Sequence, residues 1–256
     1  MESEAVPTAA NPTRGPARWR RATVKRISAE TPRAKTILLD VPDWPGHWAG
    51  QYLDVRVAAA DGDRTERSYS IASAPEDPQL ALMVERIEGG EVSRYLTEEL
   101  RVGDEVEVRG PAGDYFTWRI EDRGPLLLIA RGSGVVSLMA MLRHRAIRSS
   151  TAEACLLLSA RSPQDVPYRD ELATLEASGG LAVHYAFARD AASGWAELAR
   201  CFGAERHAAA GRPLSRLPRI FICGSAPFIG AAVSQLAEAG YEPSTIRAQD
   251  IAPAGG

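Results

Sequence analysis

The stretch Arg67-Ser68-Tyr69-Ser70 is followed, after a short gap, by Gly89-Gly90-Glu91-Val92-Ser93. An arginine guanidinium can hold a pyrophosphate through two parallel hydrogen bonds, and a tyrosine ring can stack on a flat ring system. The glycine turn opens an amphipathic stretch that continues through Tyr95, Leu96 and Leu100. Free backbone N–H groups at such a helix start can bind phosphate. Together the two segments supply what a ligand with phosphates and a flat ring system needs from a protein.

Taken singly, each segment has an ordinary interpretation. The alternation of Arg67, Tyr69 and Ile71 is typical of a β-strand. A glycine pair before a helix is typical of a turn. Their occurrence in this order, each in its expected strand or helix-start context, favours the ligand site.

The order and spacing of the two segments resemble the FAD-binding domain of the ferredoxin–NADP reductase superfamily, whose pattern is Arg-x-Tyr-Ser followed by Gly-x-x-Ser. The resemblance implies non-covalently bound FAD, with the Ser70 hydroxyl at the flavin edge. It also implies a stand-alone oxidoreductase without an iron–sulfur domain. The residues that the resemblance assigns to FAD are Arg67, Ser68, Tyr69, Ser70, Val84, Arg86, Gly90, Glu91, Val92 and Ser93.

Length and composition indicate a globular enzyme. The chain has 256 residues, enough for two domains, with 45% hydrophobic and 25% charged residues. Its net charge of -3 predicts neither a nucleic acid nor an anionic membrane as a partner. Residues 1–17 are rich in Ala, Pro and Thr, which predicts a disordered tail rather than a signal peptide. The cytoplasm is therefore the expected location.

The three cysteines, Cys155, Cys201 and Cys223, are too few and too scattered to predict a disulfide framework or a metal site. They also form no cysteine-rich run that could bind an iron–sulfur cluster. We therefore expect three reduced, unbridged thiols and no bound metal.

The apolar pattern changes near residue 122, which predicts domains over 18–122 and 123–256. The first half has short alternating runs separated by turn residues, typical of an antiparallel Greek-key barrel with one helix near 92–100. The second half alternates buried strands with helices, typical of a doubly wound parallel sheet. The fold class predicted is β followed by α/β. The strands expected are 20–27, 34–39, 52–57, 67–71, 80–86 and 105–109 in the barrel, then 126–130, 154–160, 181–187 and 219–223, with helices at 134–148, 170–176 and 226–239.

Two strand ends of the second half carry residues suited to a nicotinamide nucleotide, because ligands of open parallel sheets collect at the carboxyl ends of the strands. One is the glycine-bearing turn from Arg131 to Gly134, and the other is Cys223-Gly224. Both resemble the NAD(P)-binding turns of the same superfamily. The resemblance implies NAD(P)H as a possible second cofactor, bound by Arg131, Gly132, Ser133, Gly134, Arg161 and Gly224. It implies catalytic roles for Ser70, Cys223 and Gln249.

Four positions depart from the superfamily pattern. Arg131 replaces a glycine and Ser137 replaces a proline; the Arg131 side chain could enter the nicotinamide pocket or bind a phosphate. Gln249 replaces a carboxylate, and Ile251 replaces an aromatic residue, so proton delivery and ring stacking are both lost there.

Two functions fit these observations. The first is an FAD-dependent oxidoreductase that passes electrons from NAD(P)H through FAD to a separate acceptor. The second is a flavoprotein that retains FAD but has an eroded nicotinamide site and acts on another small molecule, through a non-redox rearrangement or cyclisation. The departures at Arg131, Ser137 and Gln249 motivate the second.

Overall fold

A computed structural model of the chain describes residues 18–58, 64–187 and 218–251. The predicted tail, Cys201 and nearly all of the segment 190–218 lie outside the described residues. Within the described ranges, no helix is long and apolar enough to cross a membrane.

The amino-terminal half forms one antiparallel sheet of six strands in the order β4-β3-β6-β1-β2-β5. A bridge between Ile71 and Leu82 joins the ends of the series, so the sheet closes into the predicted barrel. Alternate residues of each strand, such as Ile37, Leu53 and Val108, fill its interior. The strands are β1 (Trp19–Thr31), β2 (Ala34–Asp40), β3 (Tyr52–Ala58), β4 (Arg64–Ser70), β5 (Leu80–Glu85) and β6 (Glu105–Ala112).

The helix predicted in the barrel half has about the expected length but is less regular than expected. α1 covers Glu91–Arg94 and continues as one π-helical turn over Tyr95–Glu99. The N–H of Leu100 bonds to the carbonyl of Tyr95, five residues back, which widens that turn. Val92 and Leu96 are buried in the barrel core and hold the segment in place.

The carboxyl-terminal half is a parallel sheet of five strands in the order β11-β10-β7-β8-β9, which confirms the doubly wound architecture. The strand order reverses between β7 and β10, so a ligand crevice is expected at their carboxyl ends. The elements are β7 (Leu126–Arg131), α2 (Val135–Ile147), β8 (Ala154–Ala160), α3 (Arg169–Ala177), β9 (Leu181–Phe187), β10 (Arg219–Gly224), α4 (Ala226–Glu238) and β11 (Ile246–Asp250).

The two faces of the parallel sheet bury alternate residues of the same strands. Leu128 and Leu156 belong to the core with α2, whereas Ile129 and Leu157 pack on the side of α4. α2 is buried over most of its length because it lies between this sheet and the barrel.

Polar contacts also tie the two halves together. From α2, Arg143 donates to the carbonyl of Ala72 (2.7 Å), and His144 Nδ1 lies 2.9 Å from the Glu76 carboxylate. Both of those acceptors follow β4 in the barrel half. The halves therefore meet through buried, directional contacts beside the end of β4.

Candidate functional site

A cavity of about 730 Å³ lies where the end of β4 meets the start of α2 and the end of β11. The barrel supplies most of its wall, and the carboxyl-terminal half supplies Ser133, Val136, Gln249, Asp250 and Ile251. Nearly all residues assigned to FAD from the sequence are brought together here. The lining residues are Arg33, Tyr52, Arg67, Ser68, Tyr69, Ser70, Met83, Glu85, Arg86, Ile87, Glu88, Gly90, Glu91, Val92, Ser93, Ser133, Val136, Gln249, Asp250 and Ile251.

Arg67 is available to a ligand. Its guanidinium donates to the carbonyl of Glu66 (2.8 Å), and it forms no ion pair within the described residues. Tyr69 is largely buried beside it, and burial raises the pKa of its hydroxyl to about 12. The Tyr69 ring is therefore neutral at ordinary pH. A cation without a counterion next to an uncharged aromatic ring suits a phosphate joined to a flat ring system.

Several of the assigned residues build the wall rather than point into the cavity. Val84 is fully buried in the barrel core, so only its backbone could reach a ligand. The Ser68 hydroxyl donates to Asp54 (2.6 Å), and Arg86 is ion-paired with Glu98 at 2.8 Å.

Ser93 organises the glycine turn. Its hydroxyl donates to the carbonyl of Gly90 (3.0 Å) and accepts the N–H of Ile87 (3.1 Å). A Cβ at position 90 would lie 2.7 Å from the Ser93 Oγ. The Ser93 hydroxyl can therefore make these two bonds only with glycine at position 90. The first helical turn has no side-chain cap, which leaves its N–H groups for a ligand.

The three residues expected to be catalytic converge on Ser137. Its hydroxyl donates to the Ser70 Oγ (2.8 Å) and lies 3.4 Å from the Gln249 Oε1. It also bonds to the Cys223 thiol, whose pKa burial raises to about 12 against the opposing effect of that hydrogen bond. Cys223 is therefore a neutral thiol, and the four side chains form an uncharged polar cluster at the cavity wall.

A second, smaller cleft of about 260 Å³ opens at the carboxyl ends of β7, β8 and β10, as the strand order requires. It is lined by Arg131, Gly132, Ser133, Arg161 and other residues at these strand ends. Arg131 is solvent-exposed and is not part of the wall of the larger cavity. Arg161 is held by Asp165 at 3.0 Å. The cleft thus presents two arginines, Arg131 and Arg161, at the turn between β7 and α2.

Two glycines of the second domain permit a close approach of helices to strands. A Cβ on Gly134 would lie 2.7 Å from the carbonyl carbon of Cys223. A Cβ on Gly224 would lie 2.6 Å from the ring of Phe228. Any larger residue at either position would push α2 or α4 away from β10.

Sequence reasoning missed two features. It treated Ser137 only as a lost proline, although the residue is the centre of the hydrogen-bonded cluster. It also missed Arg33, which lines the cavity from the hairpin between β1 and β2. No local motif marks either residue.

Comparisons with known proteins agree with this geometry. The oxidoreductase FAD-binding domain model matches residues 22–117, and the oxidoreductase NAD-binding domain model matches residues 128–234. Ferredoxin–NADP reductase B of Sorangium cellulosum is 36% identical over 63% of this chain and 62% of its own length. Methane monooxygenase component C of Methylosinus trichosporium is 35% identical over 50% of this chain and 37% of its own. The chain thus spans less than two thirds of the length of these curated relatives.

Solved structures show the same fold. The cytochrome P450 reductase GcoB of Amycolatopsis superposes with a TM-score of 0.75 at 24% identity, covering 94% of this chain and 72% of that one. The ferredoxin–NADP+ reductase of Plasmodium falciparum gives 0.73 at 13% identity, covering 90% and 95%. With its FAD-binding and NAD-binding domains in this order, the chain belongs to the ferredoxin–NADP reductase superfamily.

Proposed function

We propose that this protein oxidises NADH or NADPH at a bound FAD and passes the electrons to a separate acceptor. One observation carries the proposal. We call the cavity of about 730 Å³ the flavin cavity and the cleft of about 260 Å³ the nucleotide cleft. The two share four lining residues, Met83, Glu85, Ser133 and Ile251, so ligands of the two sites can meet. Reaction by contact requires the reacting atoms to be held about 3–3.5 Å apart, and adjoining cavities allow this.

The chain's own residues hold and orient the reactants. FAD, when bound, supplies a group that accepts a hydride and can release electrons singly. Arg67 and the uncapped turn at Gly90 would hold its phosphates, and Tyr69 would lie against its ring. Ser70, fixed by Ser137 at 2.8 Å, would present a hydroxyl to the ring edge. Gln249 cannot donate a proton as a carboxylic acid does, but a hydride transfer needs no proton donor at that moment.

The acceptor is proposed to be another protein. Related reductases carry names such as glycine betaine monooxygenase reductase subunit and propane 2-monooxygenase reductase component. By analogy, we infer an oxygenase or a small electron carrier as the partner. The cytoplasm remains the proposed location.

A second function stays a candidate because of the wall that the two sites share. Ile251 lines both cavities where relatives are expected to have an aromatic residue, and Gln249 stands where they have a carboxylate. A protein that retains FAD but reacts poorly with nicotinamides could use the cleft for another small molecule.

The proposal is tested first by the identity of the cofactor and then by turnover. Heat-released flavin from the purified protein should chromatograph as FAD, and NADH or NADPH should then reduce ferricyanide catalytically. Arg67→Ala should weaken FAD binding about tenfold or more, since it removes a charge-assisted bond. Arg64→Ala, on the same strand but outside the cavity and paired with Glu107, is the matched control and should bind FAD normally. FMN instead of FAD, or no turnover with either nucleotide, would refute the proposal.

A further inference from the structure

Arg33 has a fixed position in the hairpin between β1 and β2. Its carbonyl accepts the N–H of Arg86 (2.7 Å), and its Nη2 donates to the carbonyl of Arg86 (3.1 Å). Its own N–H is bonded to the hydroxyl of Thr31 (3.2 Å). These bonds place the guanidinium beside the end of β5, where the chain enters the glycine turn.

The charge of Arg33 is not balanced locally. Its Nε is buried and has no hydrogen-bond partner, and it forms no ion pair within the described part of the chain. Its neighbours differ in this respect, because Arg86 is paired with Glu98 at 2.8 Å and Arg94 with Glu99 at 2.7 Å. An arginine that has no carboxylate partner and lines a cavity is available to bind an anion.

Arg33 lies where the flavin cavity continues into a side cavity of about 480 Å³. Tyr69 and Arg67 line only the main cavity, whereas Gly89 and Arg94 line only the side cavity. Arg33 lines both. A dinucleotide with its ring at Tyr69 and a phosphate at Arg67 would therefore extend its second half past Arg33.

We propose that Arg33 binds the adenosine-side phosphate of FAD, so that Arg67 and Arg33 together balance the two charges of the pyrophosphate. Among the arginines described around the two cavities, these two have no carboxylate partner, which matches two anionic phosphates. The Nη N–H groups that are not bonded to the Arg86 carbonyl supply the donors. This inference rests on the proposed binding of FAD and adds the residue that selects FAD over FMN.

The test compares FAD and FMN affinities of the apoprotein by flavin fluorescence titration. Arg33→Ala should raise the Kd of FAD about tenfold or more and change the Kd of FMN less than twofold, because FMN has no adenosine-side phosphate. Arg64→Ala is the matched control, because Arg64 lines neither cavity and is already paired with Glu107; this variant should change the Kd of FAD less than about threefold. If Arg33→Ala folds poorly, Arg33→Gln keeps a donor to the Arg86 carbonyl, removes the charge and should give the same selective loss.

Each result decides the matter. Equal losses for FAD and FMN, or no loss for either, would overturn the role of Arg33 while leaving FAD binding by the parent protein intact. A change in the Kd of NADP+ alone would overturn it as well and would assign Arg33 to the nucleotide cleft. A parent apoprotein that binds no FAD would instead overturn the proposed function and this inference with it.

Discussion

Replacing Ser137 with alanine should reveal the hydrogen-bonded cluster between the two domains. Ser137 is fully buried, and its hydroxyl makes one short bond to Ser70 at 2.8 Å and one long contact to Gln249 at 3.4 Å. One good buried hydrogen bond is worth about 1 kcal/mol, and an unsatisfied partner adds about 1 kcal/mol more. Alanine returns up to about 0.5 kcal/mol through its higher helix propensity. The net loss should be about 1.5 kcal/mol.

Thermal unfolding of the apoprotein measures this loss. About 1.5 kcal/mol corresponds to a fall in Tm of about 3–6 °C for a chain of this size. Ser225→Ala is the matched control, because Ser225 precedes α4 without a side-chain capping bond and should leave the Tm within about 1 °C. A Ser137→Ala protein as stable as the control, or more stable, would show that the hydroxyl contributes nothing and that the cluster does not hold the domains together.

Three further predictions concern separate parts of the molecule. Burial lowers the pKa of His47 to about 4, so as the pH falls the histidine is protonated in the unfolded chain before it is protonated in the folded one. The free energy of unfolding should therefore decrease as the pH drops from about 6.5 to about 4, by on the order of 3 kcal/mol in total. His47→Gln should flatten that part of the pH–stability curve measured by urea unfolding, and an unchanged slope would refute the assignment. Arg131→Gly should raise the Kd of NADP+ about threefold to tenfold without changing the limiting rate of flavin reduction, as measured by stopped-flow titration. A faster limiting rate would instead show that the Arg131 side chain lies over the flavin. Gly134→Ala should destabilise the protein by about 1–3 kcal/mol in the same urea assay, because its Cβ would meet the Cys223 carbonyl, and a neutral effect would contradict that close packing.

The buried parts of the fold could be predicted from the sequence, because burial leaves a pattern. The strand Ala154–Ala160 has the expected boundaries, since an apolar run flanked by polar residues is typical of a buried strand in a parallel sheet. β11, Ile246–Asp250, was missed. It is an edge strand of mostly half-exposed polar residues, so its sequence lacks that pattern, and its pairing with β10 is apparent only in three dimensions.

The site divides in the same way. Arg67, Tyr69 and the Gly90 turn were predicted because a ligand with phosphates and a ring requires those residue types in a fixed local order. Ser137 and Arg33 could not be predicted, because their roles depend on which distant strands come together. In the sequence, Ser137 is an ordinary serine near a helix start and Arg33 an ordinary arginine in a hairpin. Only the fold shows that Ser137 lies 2.8 Å from Ser70 and that Arg33 lines both cavities without a carboxylate partner.

The central claim, that electrons pass from a nicotinamide to the flavin of this chain, is tested most directly by mixing the FAD-loaded protein with NADH or NADPH without oxygen. The absorbance of oxidised flavin should disappear with at least one of the two nucleotides, at a rate that saturates with nucleotide concentration. If the flavin stays oxidised with both nucleotides, yet is bleached by dithionite, the protein binds FAD without using NAD(P)H and the proposed reductase function is wrong.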